Sequence, residues 1–401
     1  MSRVYTRMPQ VALLLPTSVK TCRELLRGIL QFVHLHGPWA VHIIEGREGE
    51  QKLLRSAVSG YTGIIGNLMD WQYTEHLLTT HIPTILTDPM DEVFDPVNPL
   101  SRLSRVVCDN PPIGMHAAEY FLEKKFRHFA FVGEVHDALW SEERRLVFSE
   151  RLAQAGFSSA TYPRLTSSAR RDFGVEQRVL CDWLKALPKP VAILTANDVR
   201  GRQVLDSCLK AGVAVPQEAA VLGVDNDEML CETTNPQLSS IQMSTEQAGF
   251  EAARLLDGMM RGRQRGTPRQ VIITYGFSHI VTRRSTETVQ IADVFVAQAL
   301  EFIRINAGIT VTVNDLVRHL RISRRSLETR FKSVIGRTVY AEIMHVRLER
   351  VQMLLRETLM SIEEIADTCG FASASHLGTV FRNHFDITPS SYRRKTRNHV
   401  P

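Results

Sequence analysis

The last quarter of the chain, Thr312 to Arg393, carries the pattern helix, tight turn, helix twice, with a long helix between the copies, and this repeat constrains the fold more than any other feature. In the second copy Ser361 and Glu364 have the spacing of a capping box, the hydroxyl taking an orphan helix N–H while the carboxylate reaches back to the cap. Ile362, Ile365, Ala366 and Cys369 then recur at helical spacing on one face. Gly370 supplies the turn, and Ser373 caps a second helix reaching about His384, with Leu377, Val380, Phe381 and Phe385 facing inward. In the first copy Thr312 caps a helix carrying Val313, Leu316, Val317 and Leu320, and Ile322-Ser323 turns into a helix holding Leu327 and Phe331. Thr338 to Thr358 reads as the joining helix. The expected product is an all-α double helix-turn-helix domain over 311–401; the alternative is a generic helical bundle.

The outward face of the first copy presents Arg324, Arg325, Glu328, Thr329 and Lys332. Such side chains suit a major groove, because Arg pairs with guanine at two points, hydroxyls meet either base edge, and Lys holds phosphate. In the second copy Ser375, His376 and Thr379 are the candidates for base edges and Arg382 for phosphate, while Gly378 in mid-helix costs about 1 kcal/mol relative to Ala. Base specificity is therefore expected from Arg324 and Arg325. From Thr286 onward 16 Lys and Arg face 12 Asp and Glu, an excess that alone describes an ordinary solvated surface, so the helical pattern carries the inference.

The segment GFASASHLGTVFRNHFDITPSSYRR resembles the signature of AraC-type transcription regulators, with Gly370-Phe371, Phe381, the Ile387-Thr388-Pro389 turn and Tyr392-Arg393 in register. ISRRSLETRFKSVIG is similar to that family's first reading helix, and Leu377 departs from its usual aromatic residue. The resemblance implies a double-stranded DNA operator as partner, a homodimer, and activation through RNA polymerase.

A chain of 401 residues, 44% of them apolar, is too long for one core. From Gln10 to about Arg283 short apolar strands alternate with amphipathic helices: VALLLP, Thr21 to His36, AVHII, 48–59, GIIGNL, 70–79 and IPTILTD. A second series starts at Val106 and includes FAFVG, Glu142 to Ala155, VAILTAN, Val199 to Ala211 and AAVLGVD. This alternation indicates parallel sheets covered on both faces, and two such lobes enclose a cleft outside the carboxyl ends of their strands. The expected architecture is an α/β two-lobed sensor over 1–284 (lobe 1 about 10–105 with part of 236–284, lobe 2 about 106–235), a linker and connecting helix over 285–310, and the helical domain.

No apolar run approaches the ~20 residues of a membrane helix, and Val11 to Leu15 is too short for a signal-peptide core, so a cytoplasmic protein without membrane contact is expected. Six cysteines without paired spacing point to reduced thiols rather than disulfides or metal ligands. No Gly-rich phosphate loop, His-Glu-x-x-His or Gly-x-Ser-x-Gly is present, so neither catalysis nor a cofactor is expected.

VVCDNPPIGMHAAEYFLEKKFRHFAFVG, Asn197-Asp198, VPQEAAVLGVDND and NPQLSSIQMSTEQAGFEAARLL resemble the effector domain of LacI-type repressors, akin to periplasmic sugar-binding proteins, and its fusion to AraC-type helices resembles the xylose operon regulators. The resemblance implies a small sugar effector, xylose or another aldose, held by Arg144, Asn197, Asp198 and Asp225. The chemistry agrees, since carboxylates, guanidinium and amides pair with neighbouring hydroxyls while an aromatic face lies beneath the ring. Trp140 and Trp71 are candidate stacking walls; Asp198 is a ligand or a helix cap; Arg23 reaches the cleft or stays solvated; Asp109 and Asn110 belong to the crossover. Three functions follow: a sugar-sensing regulator, a DNA-binding protein whose sensor no longer binds ligand, and a sugar-metabolising enzyme with a DNA-binding appendage.

Overall fold

The computed structural model describes residues 7–46, 49, 51, 60–67, 78–135, 138–163, 173–262, 270–287, 293–306, 311–358 and 360–397. Trp71 and most of the helices expected over 48–59 and 70–79 lie outside them. The chain divides into two compact units, Met1–Val289 and Gln290–Pro401.

The first unit is built on strands β1 (Gln10–Leu14), β2 (Ala40–Ile43), β3 (Gly63–Gly66), β4 (Thr84–Thr87), β5 (Ser104–Asp109), β6 (His128–Val132), β7 (Ser159–Thr161), β8 (Val191–Thr195), β9 (Ala219–Val224), β10 (Ser239–Met243) and β11 (Ile272–Val281). Their order is β2-β1-β3-β4-β5-β11-β10-β9-β8-β6-β7. β3, β4, β8 and β9 are buried along their whole length, as strands covered on both faces must be. The helices are α1 (Lys20–His36), α2 (Pro111–Glu123), α3 (Leu139–Gln154), α4 (Phe173–Ala186), α5 (Asp198–Ala211), α6 (Glu228–Thr233) and α7 (Thr245–Met260).

β11 makes two lobes out of one strand order. Its first half, Ile272 to Gly276, runs parallel to β5, and its second half runs antiparallel to β10 with a shift in register between Gln242 and Met243. The chain therefore crosses between lobes after Asp109, after Met243 and after Gly276. These crossings touch: Ser244 N–H donates to Gly276 O (2.9 Å), Gly276 N–H donates to Ser244 Oγ (3.2 Å), and a Cβ on Gly276 would lie 2.9 Å from Asp109 O. In the first lobe α1 packs against α7 at backbone range, because a Cβ on Gly28 would fall onto the Glu246 carbonyl and one on Gly249 onto that of Leu25.

The second unit contains α8 (Val294–Ile305), α9 (Val313–Leu320), α10 (Arg324–Ile335), α11 (Val339–Glu357), α12 (Ile362–Thr368), α13 (Ala374–Phe385) and α14 (Pro389–Arg397). Thr312 with Asp315 and Ser361 with Glu364 form capping boxes, and Ser323 and Ser373 cap the two reading helices. The turns need left-handed backbone, supplied by Gly370 (φ 71°) in the second copy and by Arg321 (φ 54°) in the first. α11 lends Val339 and Ile343 to the first core and Leu348, Val351 and Leu355 to the second. Val296, Ala299, Leu300 and Ile303 place α8 in the first core, whereas Ser285 and Thr286 are buried in the sensor unit.

Two helix glycines separate close packing from propensity. Gly249→Ala is expected to destabilise the sensor by about 1–3 kcal/mol through overpacking. Gly258→Ala on the same helix, with nothing within 4 Å of its Cβ, is expected to stabilise it by up to about 1 kcal/mol. Thermal melts check both, and equal midpoints would refute the close crossing of α1 and α7.

Candidate functional site

β4 and β9 each end at the cleft, and the next residue is an aspartate in left-handed backbone, Asp88 at φ 39° and Asp225 at φ 106°. Such conformations cost on the order of 1–3 kcal/mol each and persist where the surroundings over-determine them. Main-chain bonds do so here, Asp88 N–H donating to Val106 O (2.9 Å) and Asp225 N–H to Ile241 O (3.0 Å). The Tyr275 hydroxyl donates to Asp88 Oδ2 at 2.6 Å. From α3 comes Arg144, buried, with Nε donating to Asn110 Oδ1 (2.9 Å), Nη1 to Ala196 O (2.5 Å), and its guanidinium carbon 4.8 Å from the centre of the Trp140 ring.

Burial pushes the Asp225 carboxyl up to about 7; Arg144 opposes this, and Asp88, Glu24 and Asp227 add to it. Burial also lifts Asp88 to about 6, against the Tyr275 hydrogen bond and Arg144. Among the described residues no donor hydrogen-bonds the Asp225 carboxylate, and Asn67 Oδ1, one residue past β3, is buried without a partner. The floor thus offers carboxylate and amide acceptors beside one guanidinium and an aromatic face, a set matched to a neutral polyhydroxy ligand whose hydroxyls both donate and accept.

The sequence candidates separate accordingly. Arg144, Asp225 and Trp140 meet at this floor. Arg23 spans the mouth, its Nη2 2.9 Å from Asp227 Oδ2 and its Nη1 donating to Thr17 O and Ser18 O. Lys20 Nζ donates to Asn226 O (2.9 Å) and Gln242 Nε2 to Glu24 Oε1 (3.0 Å) beside it. Asn197 caps α5 through Oδ1, which accepts from Arg200 N (2.9 Å), and donates from Nδ2 to Glu134 Oε2 (3.0 Å). Asp198 is almost wholly buried, Oδ2 accepting from Asp227 N and Oδ1 from Ser240 Oγ, both at 2.6 Å. Sequence reasoning missed Asp88 and Tyr275. IPTILTD ends in an aspartate as AAVLGVD does, which was a signal for the first; Tyr275 carried none. A cavity of about 270 Å³ in the second lobe, lined by Glu134, Glu142, Arg145, Tyr162, Glu176 and Arg200, pairs its own charges, Arg200 with Glu176 and Arg145 with Glu142.

On the helical unit Arg324, Arg325, Thr329 and Lys332 are exposed on α10, and Ser375, His376, Thr379 and Arg382 on α13. Glu328 is half-buried and accepts from Val339 N–H (3.3 Å), fastening α10 to the start of α11. With Ser323 aligned on Ser373, the matching positions of the second copy are Gly378 and Pro389, and a proline has no N–H to satisfy. Thr379 Oγ1 donates to Ser375 O (3.1 Å). Arg347, midway along α11, donates to Val311 O (2.9 Å) and to Gly370 O (3.4 Å), tying the start of the first copy to the turn of the second.

The periplasmic binding protein-like domain family matches residues 118–286, and a helix-turn-helix domain family matches residues 316–395. A xylose operon regulatory protein of Haemophilus influenzae is 31% identical over 334 residues, covering 82% of this chain and 84% of that protein. One of Escherichia coli K12 is 28% identical over 393 residues, 97% of this chain and 98% of that one. Among solved structures a xylose-binding transcription activator, xylR, superposes with a TM-score of 0.79 at 26% identity, over 98% of this chain and 99% of that chain.

The raised carboxyls give the cleft a pH signature. A hydroxyl donor to the Asp225 carboxylate requires it ionised, so a ligand held in this way would release a proton on binding below pH of about 7, and its affinity is expected to fall by up to about tenfold per pH unit below that value. The contribution of Asp88 and Asp225 to stability runs the other way: their folded values lie above the ordinary 3.8, so the stability they confer is fully present below that value and is lost as pH rises through about 6 and 7. Calorimetric titration from pH 5 to 8 checks the first statement, and a flat affinity would exclude Asp225 as acceptor.

Proposed function

The chain belongs to the xylose operon regulators, AraC-type transcription regulators with a periplasmic-binding-protein-like sensor, and on that premise we propose that D-xylose, or an aldose of like hydroxyl pattern, is its effector. It is a sugar-responsive, DNA-binding regulator. The observation that carries the choice of ligand is the Asp225 carboxylate, left without a donor among the described residues beside buried Arg144. The names of the relatives support xylose.

In this reading Arg144, Asp225, Asp88 and Trp140 hold the sugar, and Arg23 shuts the mouth. The helical unit of a homodimer then engages its operator through Arg324, Arg325, Thr329 and Lys332, with Arg382 on phosphate, and activates transcription through RNA polymerase in the cytoplasm. Glu328 serves as a fastening of the reading helix. The chain catalyses nothing and needs no cofactor. Among the described residues no helix is long and apolar enough to cross a membrane.

A thermal-shift panel of aldoses tests the effector, since a ligand at about 100 times its Kd adds about 2.7 kcal/mol. Asp225→Ala is expected to weaken the responding sugar by about 10²- to 10⁴-fold, the loss of two charge-assisted bonds of ~1.5–3 kcal/mol each. Operator binding without sugar stays as in the wild type. Full sugar affinity with a lowered melting temperature would make Asp225 structural. On the DNA side Arg324→Ala or Arg325→Ala is expected to remove about 1–3 kcal/mol of base discrimination, and Arg382→Ala to weaken every duplex alike. Equal losses on selected and random duplexes for all three would reverse this assignment.

A further inference from the structure

The sensor ends in a short strap, Arg283 to Glu287, whose middle residues Ser285 and Thr286 are buried against the second lobe. Ser239, Ser285 and Thr286 have no exposed surface, yet all three are hydroxyl residues bonded to one another's segments. Ser285 Oγ donates to Val221 O (2.6 Å), Ser239 N–H donates to Ser285 Oγ (2.8 Å), and Ser239 Oγ and Thr286 Oγ1 are 2.7 Å apart. Arg283 N–H donates to Ser239 Oγ (2.7 Å) and Arg283 Nη1 to Leu238 O (3.0 Å).

From this strap two routes lead back to the cleft. The first runs through β10: next to Ser239 stands Ser240, whose Oγ donates to Asp198 Oδ1 and accepts from Asn226 N–H (2.9 Å). The other Asp198 oxygen holds Asp227 N–H, so one buried carboxylate fixes the loop Asp225 to Asp227 that forms the cleft's edge. Gly223 leaves room for it, since a Cβ there would fall onto Asp198 Oδ1. The second route is α2. Asn110 at its start accepts from Arg144, and Tyr120, about 15 Å further along the axis at 1.5 Å per residue, places its hydroxyl 2.7 Å from Thr286 Oγ1 and 3.1 Å from Thr282 Oγ1.

Stability alone does not account for this choice of residues. Buried hydroxyls contribute little net, apolar residues of similar size pack as well, and any hydroxyl left unpaired costs about 1–3 kcal/mol. What a fully paired network supplies is one allowed arrangement, so a shift of the loop at Asp225 or of α2 at Arg144 is felt where the chain leaves the sensor. We infer that Ser239, Ser285 and Thr286, joined to the cleft through Asp198 and Tyr120, are positioning residues that transmit sugar occupancy to the DNA-binding unit. This rests on the sugar-sensing function proposed above.

The experiment uses the full chain, D-xylose, and a duplex selected by the wild-type chain from a random pool. Wild type is expected to change its duplex affinity by about 5- to 150-fold on saturation with D-xylose. Thr286→Val and Ser239→Ala are expected to bind D-xylose and, without it, the duplex within about twofold of wild type, while the sugar-induced change collapses to within about twofold of unity; Thr286→Ser, which keeps the hydroxyl, retains it. Tyr120→Phe, which deletes only an oxygen, gives the same readout if a buried substitution prevents folding. A folded Thr286→Val, Ser239→Ala or Tyr120→Phe chain with the full sugar-induced change overturns the inference, as does loss of D-xylose affinity in proportion to loss of response. If wild type binds the duplex but ignores D-xylose and other aldoses, the effector reading fails first, and this one with it.

Discussion

The sensor is organised around a guanidinium that has been taken out of water. Removing such a charge from solvent costs several kcal/mol, and among the described residues Arg144 meets that cost with hydrogen-bond and ring partners that are neutral, an amide oxygen of Asn110, the carbonyl of Ala196, the Cys108 sulfur and the Trp140 face. The compensating negative charge is left to Asp225 and Asp88, both pushed up by burial and both lowered again by Arg144. Asp225 has no donor among the described residues, so its carboxylate keeps its accepting capacity unspent, as the proposed sugar site requires. Gly114 permits the arrangement, since a Cβ there would fall onto the Arg144 carbonyl and push α3 off α2.

Much of this was legible in the sequence, for reasons that also mark where legibility stopped. Strands buried on both faces are continuous apolar runs, so VALLLP, GIIGNL, IPTILTD, VAILTAN and AAVLGVD stood out. β11 did not, because half of it borders one lobe and half the other and its exposure alternates irregularly. Without β11, Tyr275 could not be brought to Asp88, 187 positions away. Asn197 and Asp198 show a different limit. An asparagine that caps a helix and one that holds a sugar both follow a strand and precede a helix, and only the hydrogen bonds show where each polar atom is spent, the Asn197 oxygen on Arg200 N–H and its amide nitrogen on Glu134, the two Asp198 oxygens on Ser240 and Asp227.

The helical unit was more legible, because capping is local chemistry. The boxes at Thr312 and Ser361, the caps at Ser323, Thr338 and Ser373, and the ends at Gly336 and Asp386 are fixed by residues within one turn of where they act. The repeat adds a lesson that one copy alone does not contain. Glu328 accepts from Val339 N–H, whereas the second copy has Gly378 and Pro389 at those positions, so the duty disappears together with the donor. An acidic residue on a reading helix thus answers to its own scaffold before it answers to a base. Gly378, with open space around its Cβ, is under no packing demand from the protein.

The ties across the cleft mouth decide how much work a ligand has to do. Arg23 with Asp227 is part-exposed, at 34% and 12% of their side-chain surfaces, and pairs of this kind contribute on the order of 0–1 kcal/mol after screening. Lys20 on Asn226 O and Gln242 on Glu24 add single hydrogen bonds, each with one charged partner, of about 1.5–3 kcal/mol net. Ties of this size bias the lobes toward the arrangement they bridge, and a ligand shifts such an equilibrium only by its difference in affinity for the two states. The acceptors belong to both lobes, Asp88 to the end of β4 and Asp225 to the end of β9, so on the proposed reading a sugar that bonded both would favour the arrangement in which the lobes meet. Stronger ties at Arg23 would have closed the cleft without ligand and removed the switch.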